Sequence, residues 1–112
     1  MATAADDAYV EQVHDLVGQI PPGRVMTYGL IAEVLADRAR AAGRAPQGGP
    51  RQVGRAMAAG GDVPWWRVVD AAGNPPAQHR TRALTDLRAE GAPLTPDGGR
   101  VRVRAAVWFP EQ

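Results

Sequence analysis

Three interruptions decide what this chain can fold into. IPPGRV at residues 20–25, the stretch from Gly43 to Gly49, and the pair Gly60-Gly61 each break a helical pattern, leaving short apolar-periodic segments between them. In the first segment, residues 6–19, Tyr9, Val10, Val13, Leu16 and Val17 recur at the spacing of one buried helix face, which Ile20 continues. Asp6 and Asp7 suit the positive end of that helix's dipole. In the second, Thr27 is placed to cap a helix whose packing face is Leu30, Ile31, Val34 and Leu35, running to about Ala42. The third is PRQVGRAMAAG, with Pro50 at the first helical position. There Val53, Ala56 and Met57 face inward, and Arg51, Gln52 and Arg55 face outward. Gly54 lies inside this helix at a cost of about 1 kcal/mol against Ala, which predicts that another backbone approaches closely. Gly43 to Gly49 reads as a flexible basic loop.

Beyond the third helix the expected elements are shorter. Trp66 to Val69 reads as a strand turning at Asp70 to Gly73, and Thr81 to Glu90 as a fourth helix stopped by Gly91. RVRVRAAVW, residues 100–108, alternates Arg with apolar residues as a half-buried strand does. Three short helices, a basic third one and a hairpin-like segment predict a mostly α, single domain over residues 1–112. This is the outline of a winged helix-turn-helix with a short β element, in which the third helix enters a DNA groove.

Charge supports a polyanionic partner. Residues 1–37 carry six acidic side chains and one Arg, whereas residues 38–67 carry six Arg (38, 40, 44, 51, 55 and 67) and one acid, Asp62. A basic middle suits nucleic acid, because each phosphate neutralised releases counterions. The Arg-rich 38–49 stretch adds either nonspecific DNA affinity or only a solvated insertion. The chain has no Cys, which excludes disulfides, thiolate metal sites and Cys nucleophiles. With two histidines, His14 and His79, a zinc site is not expected, nor is any cofactor. No apolar run is long enough to cross a bilayer. The acidic start lacks the layout of a secretory leader, so a cytoplasmic monomer is expected.

Four segments in order carry a resemblance: PPGRVMTYG, GPRQVGRAM, VPWWRVVDAAG and LRAEGAPL. Over roughly residues 9–94 the chain resembles the DNA-binding domain of O6-alkylguanine-DNA alkyltransferases, and still more their non-catalytic relatives, the alkyltransferase-like proteins. The alkyltransferase motif reads Pro-Cys-His-Arg-Val, and its Cys accepts the alkyl group. Here the same positions are Pro64, Trp65, Trp66, Arg67 and Val68. An indole cannot act as a thiolate does, so the resemblance implies the binding half of the activity without the transfer. The change of Cys to Trp is the mark of the alkyltransferase-like relatives. Trp66 departs from the His that many of them keep.

The resemblance also implies roles, each with a plainer alternative. Trp65 would line a base pocket, or else pack in the core. A flat apolar wall suits a flipped base, since stacking is worth about 1–3 kcal/mol. Tyr28 would press on the 3′ phosphate of the flipped nucleotide, or simply pack at a helix start. Arg51 would enter the base stack as an arginine finger, or remain a solvated side chain. Gly54 and Ala56 suit a recognition helix lying close to the duplex, in this family in the minor groove. Arg55 and Arg67 are candidate phosphate or structural contacts, Trp66 and Val68 candidate core. Glu90 matches a Glu that helps activate the Cys; without Cys and His it reads as a helix-end carboxylate with a local hydrogen bond.

These implications describe a protein that binds duplex DNA containing O6-alkylguanine, rotates the lesion outward without repairing it, and flags it for nucleotide excision repair proteins. A winged-helix transcriptional regulator is the alternative. An enzyme of different chemistry and a pure interaction adaptor are further rivals.

Overall fold

The computed structural model describes residues 4–110, with side chains from Asp7 onward. The Asp6 side chain therefore lies outside the described residues. Helix α1 spans Ala4–Gln19, strand β1 Met26–Thr27, helix α2 Tyr28–Ala41 and helix α3 Pro50–Ala58. A 3-10 turn at Trp65–Arg67 leads into strand β2, Val68–Val69, and a second at Ala77–His79 into helix α4, Arg80–Ala89. One helical turn, α5, Val103–Ala106, follows.

Helix α3 packs against both α1 and α2. Their shared core holds Tyr9, Val13, Leu16, Val17, Ile20, Ile31, Leu35 and Val53, as the periodicity predicted. Thr27 caps α2: its Oγ1 accepts the Leu30 N–H at 3.1 Å. Strands β1 and β2 pair in parallel, Met26 opposite Val68 and Thr27 opposite Val69. Successive strand residues face opposite ways. Met26 and Val68 accordingly join the α1–α3 core, while Val25 and Val69 join a second cluster with Leu87, Ala92, Val101 and Ala106.

Several expectations change. Trp66 is not in a strand: the Arg67 N–H bonds to the Pro64 carbonyl at 3.0 Å and the Val68 N–H to that of Trp65, coiling the chain until Val68. Strand β2 pairs backward in sequence with β1 rather than with the chain after the Asp70–Gly73 turn. The hairpin-like feature lies later, where Leu94 and Val101 form an antiparallel bridge. Residues 100–108 are not one strand. Val101 donates to Gly73 at 2.9 Å, and the chain then makes a helical turn that presents the Ala106 carbonyl to the Val25 N–H at 3.0 Å. Alanines 105 and 106 favour that turn.

The loop before α3 is pinned at both ends. Gly43, at φ +75°, closes α2: its N–H bonds to Arg40 at 3.0 Å and that of Arg44 to Ala39 at 2.8 Å. At the other end Gly48 lies on the Tyr9 ring, where a Cβ would come within 2.8 Å of Cζ. The Gln52 side chain then accepts the Gly49 N–H at 2.8 Å and opens α3.

Gly54 shows no close neighbour: a Cβ there would meet nothing within 4 Å. The protein's own backbone does not approach it, because its face of α3 opens on a cleft. No helix among the described residues is long and apolar enough to cross a membrane.

Candidate functional site

Pro64 starts the site. With no N–H of its own, it opens the tight turn that throws the next two indoles apart. The rings of Trp65 and Trp66 stand 5.8 Å apart at 87°. Trp65 goes to a cleft of about 550 Å³, whose lining includes Tyr28, Gly54, Met57, His79 and Arg82. The His79 ring lies edge-on to it, centroids 5.5 Å apart. Trp66 turns away and packs on the second core cluster.

Behind the turn, one carboxylate organises the backing. Glu90 Oε2 accepts the Trp66 indole N–H at 3.1 Å. The Arg67 Nε–H is shared between both Glu90 oxygens at 3.1 Å, and Nη2 also bonds to Oε2. Arg67 Nη1 donates to the Ile20 carbonyl at 2.8 Å, tying the turn to the end of α1. Its guanidinium lies 5.3 Å from the centre of the Trp66 ring, a cation–π distance. The Gly23 N–H adds a third partner residue to Glu90 at 3.2 Å. Burial pushes the Glu90 carboxyl up, but the hydrogen bonds from Arg67, Gly23 and Trp66 outweigh it and hold the group below the usual carboxylate range. Glu90 is thus a hub joining α4, the Trp turn and the Pro21–Arg24 loop, more than a local helix-end contact.

Tyr28 is the first residue of α2, placed by the Thr27 cap. It is half-buried and walls the cleft. Burial, and then the negative charge of Asp70, raise its phenol above the ordinary value of 10.0. Its O–H therefore remains a donor throughout the neutral range. Asp70 is itself fixed, with Oδ1 accepting the N–H groups of Ala72 at 3.0 Å and Asn74 at 2.8 Å.

Of the residues singled out from sequence, the fold gathers Tyr28, Gly54 and Trp65 on one cleft. Arg51 and Arg55 are exposed on α3, and their guanidinium groups bond to no other described residue. One assignment changes, one open alternative narrows and one expectation holds. Ala56 does not lie on the outer face: it is 0% exposed, three residues from Val53 and so on the same inner side of α3. Its carbonyl is 2.8 Å from His14 Nε2. The small residues on the open side are Gly54 and Ala58 instead. Arg67 is committed to Glu90 and is 13% exposed, leaving it structural rather than a phosphate contact. Val68 is core, 1% exposed.

His79 and Arg82 were missed as lining residues. The run HRTR at 79–82 was the available signal, overshadowed by the larger basic segment before it.

Comparison with known proteins bears on this arrangement. Residues 8–92 match the family described as "6-O-methylguanine DNA methyltransferase, DNA binding domain". A protein of Vibrio parahaemolyticus named "DNA base-flipping protein" is 32% identical over 109 residues, covering 93% of this chain and 99% of the relative. A protein of the same name from Escherichia coli K12 is 35% identical over 98 residues, covering 83% of this chain and 64% of the relative. The structure of S. pombe ATL in complex with DNA superposes with a TM-score of 0.70 at 29% identity, covering 98% of this chain and all (100%) of the other. That of S. pombe Atl1 with damaged DNA containing O6-carboxymethylguanine gives a TM-score of 0.68 at 30% identity, with the same coverage.

Proposed function

The chain belongs to the alkyltransferase-like branch of the 6-O-methylguanine DNA methyltransferase DNA-binding family, and from that premise we propose that it binds duplex DNA carrying O6-alkylguanine and holds the lesion without repairing it. The observation that carries this reading is Trp65 standing in the Pro-x-x-Arg-Val motif and facing an open cleft beside Tyr28. A cleft of about 550 Å³ falls within the range of small-ligand sites, about 300–1,000 Å³. It has room for a purine with a substituent. Flipping costs a few kcal/mol, which stacking on Trp65 offsets in part.

In this reading α3 lies along the minor groove, where Gly54 and Ala58 present no bulk to the sugar-phosphate walls. Arg51 fills the space left by the extruded base and donates to the orphaned cytosine. The Tyr28 O–H donates to the phosphate 3′ of the lesion, and Arg55 neutralises a neighbouring one. Trp66, Arg67 and Glu90 hold Trp65 in place and touch no DNA. No alkyl group is transferred, because the acceptor position holds an indole and the chain has no Cys. The bound complex then serves as a flag for nucleotide excision repair proteins.

Titration of duplexes with and without O6-methylguanine, read by Trp fluorescence, tests the reading. Wild type is expected to be quenched selectively by the lesion. Tyr28→Phe and Arg51→Ala should each bind the lesion duplex about tenfold or more weakly, equivalent to about 1.4 kcal/mol. Equal response to damaged and undamaged duplex would overturn it and favour a sequence-reading regulator. Intact-mass measurement of protein and DNA after incubation should show both unchanged.

A further inference from the structure

A second concave surface lies apart from the Trp65 cleft. Its volume is about 590 Å³ and, among the described residues, it shares no lining residue with that cleft. Arg100, Arg102 and Arg104 all line it, over a floor that includes Ala71, Val101 and Val103. Among the described residues no Asp or Glu lines it.

These three arginines differ from others in the fold. Arg24 is spent on the carbonyls of Ala106 and Val107, Arg67 on Glu90, and Arg80 on the Gly99 carbonyl. By contrast, no guanidinium of the trio hydrogen-bonds another described residue. Asp97 interacts electrostatically with Arg100, and its carboxylate is itself occupied by Thr95 and Gly99. All three arginines are exposed, while Val101 between them is buried. Five residues after Arg104 comes Phe109, 50% exposed, more open than any other large apolar side chain among the described residues.

We infer that this groove is a protein-docking surface for an acidic segment that also carries apolar side chains, occupied while DNA fills the Trp65 cleft. Three guanidinium groups with no hydrogen-bond partner among the described residues set the sign of the partner. The alanine and valine floor, with Phe109 on the same segment, distinguishes it from a phosphate track. Arg and aromatic residues together mark protein interfaces, whereas a nucleic-acid backbone needs charge alone. The two surfaces have separate lining, so one ligand does not need the other to leave. This goes beyond lesion binding: docking itself does not depend on what the cleft holds, while its coexistence with DNA rests on the function proposed above.

The test uses the full chain, a fluorescein-labelled peptide of alternating Glu and Leu, and the same peptide with Gln for Glu. Binding is followed by anisotropy with and without saturating lesion duplex. The Glu peptide is expected to bind in both conditions, and the Gln peptide about tenfold or more weakly. The double variant Arg102→Glu/Arg104→Glu should reduce binding of the Glu peptide by a similar factor, the scale of losing two exposed charge contacts. Its affinity for lesion duplex and its thermal midpoint should stay at wild-type values. Failure of the Glu peptide to bind overturns the inference. So does its displacement by lesion duplex, or an equal loss of duplex affinity in the variant, which would make the groove part of the DNA interface. Displacement by single-stranded oligonucleotide would overturn it in favour of a nucleic-acid groove. Lesion selectivity is read separately, from wild type with damaged and undamaged duplex, so the two readings fail independently.

Discussion

Arg67 and Glu90, distant in sequence and only 13% and 15% exposed, form a two-pronged ion pair that also holds the indole N–H of Trp66. The pair sits behind the turn that aims Trp65 at the cleft. Removing one member leaves the other charge largely buried without its partner, the costly way to break such a contact. Glu90→Ala is expected to lower stability by about 3 kcal/mol, measured by urea unfolding, with Glu90→Gln losing less.

The same pair predicts a pH dependence. The Glu90 carboxyl titrates below its ordinary 4.5 in the folded chain. The native state therefore binds fewer protons than the unfolded one as pH falls through this range. The stabilisation is fully present above the ordinary value and is lost as pH drops through the depressed one. Thermal midpoints measured from neutral pH to about pH 3 should fall less steeply in Glu90→Gln than in wild type. Parallel curves would show that Glu90 contributes no pH-linked stability.

The two neighbouring tryptophans should separate cleanly by assay. Trp66→Phe loses a hydrogen bond to a charged acceptor and is expected to cost about 1.5–3 kcal/mol of stability, with lesion selectivity kept in the folded protein. Trp65→Ala should leave stability nearly unchanged and weaken lesion binding by the stacking contribution, about 1–3 kcal/mol. The reverse pattern would mean that the wrong indole has been given the ligand.

Two glycines make an opposed pair. Gly73 adopts φ +92°, and a Cβ there would come within 2.1 Å of the Val101 carbonyl oxygen. Gly73→Ala is expected to destabilise by at least about 3 kcal/mol, through backbone strain and displacement of the Val101 segment. Gly54→Ala meets nothing within 4 Å and gains helix propensity, so it should stabilise by up to about 1 kcal/mol. Lesion-duplex affinity should nevertheless fall, because the new methyl group lies on the cleft wall. A Gly54→Ala protein that is both more stable and equally tight on DNA would remove α3 from the interface.

What could be read from sequence was whatever leaves a periodic trace. Helices α1 to α4 announced themselves through apolar spacing, the Thr27 cap, Pro50 and the glycines that end them. The Pro64–Val68 motif singled out the two adjacent tryptophans, although Trp66 read as the start of a strand and lies in a 3-10 turn. Contacts that join distant residues left no such trace. Nothing local says that Glu90 would reach Arg67, Trp66 and the Gly23 amide together. Gly54 in a helix interior suggested a close backbone approach, yet a Cβ there meets nothing within 4 Å, because its face of α3 opens on the cleft. RVRVR imitated a strand because Val101 does point inward, yet its amide is taken by Gly73 and the alanines after it prefer a helical turn. Ala56 was assigned to both faces of α3, and the buried spacing with Val53 decided between them.

The parallel two-residue ladder makes Val68 and Val69 answer to different halves of the molecule. Slipping that segment by a single position would push each valine into its neighbour's compartment, upsetting both at once. The phase of the chain just upstream is thereby locked from two sides. Which of the adjacent indoles meets the solvent is settled by aliphatic side chains that never touch a ligand.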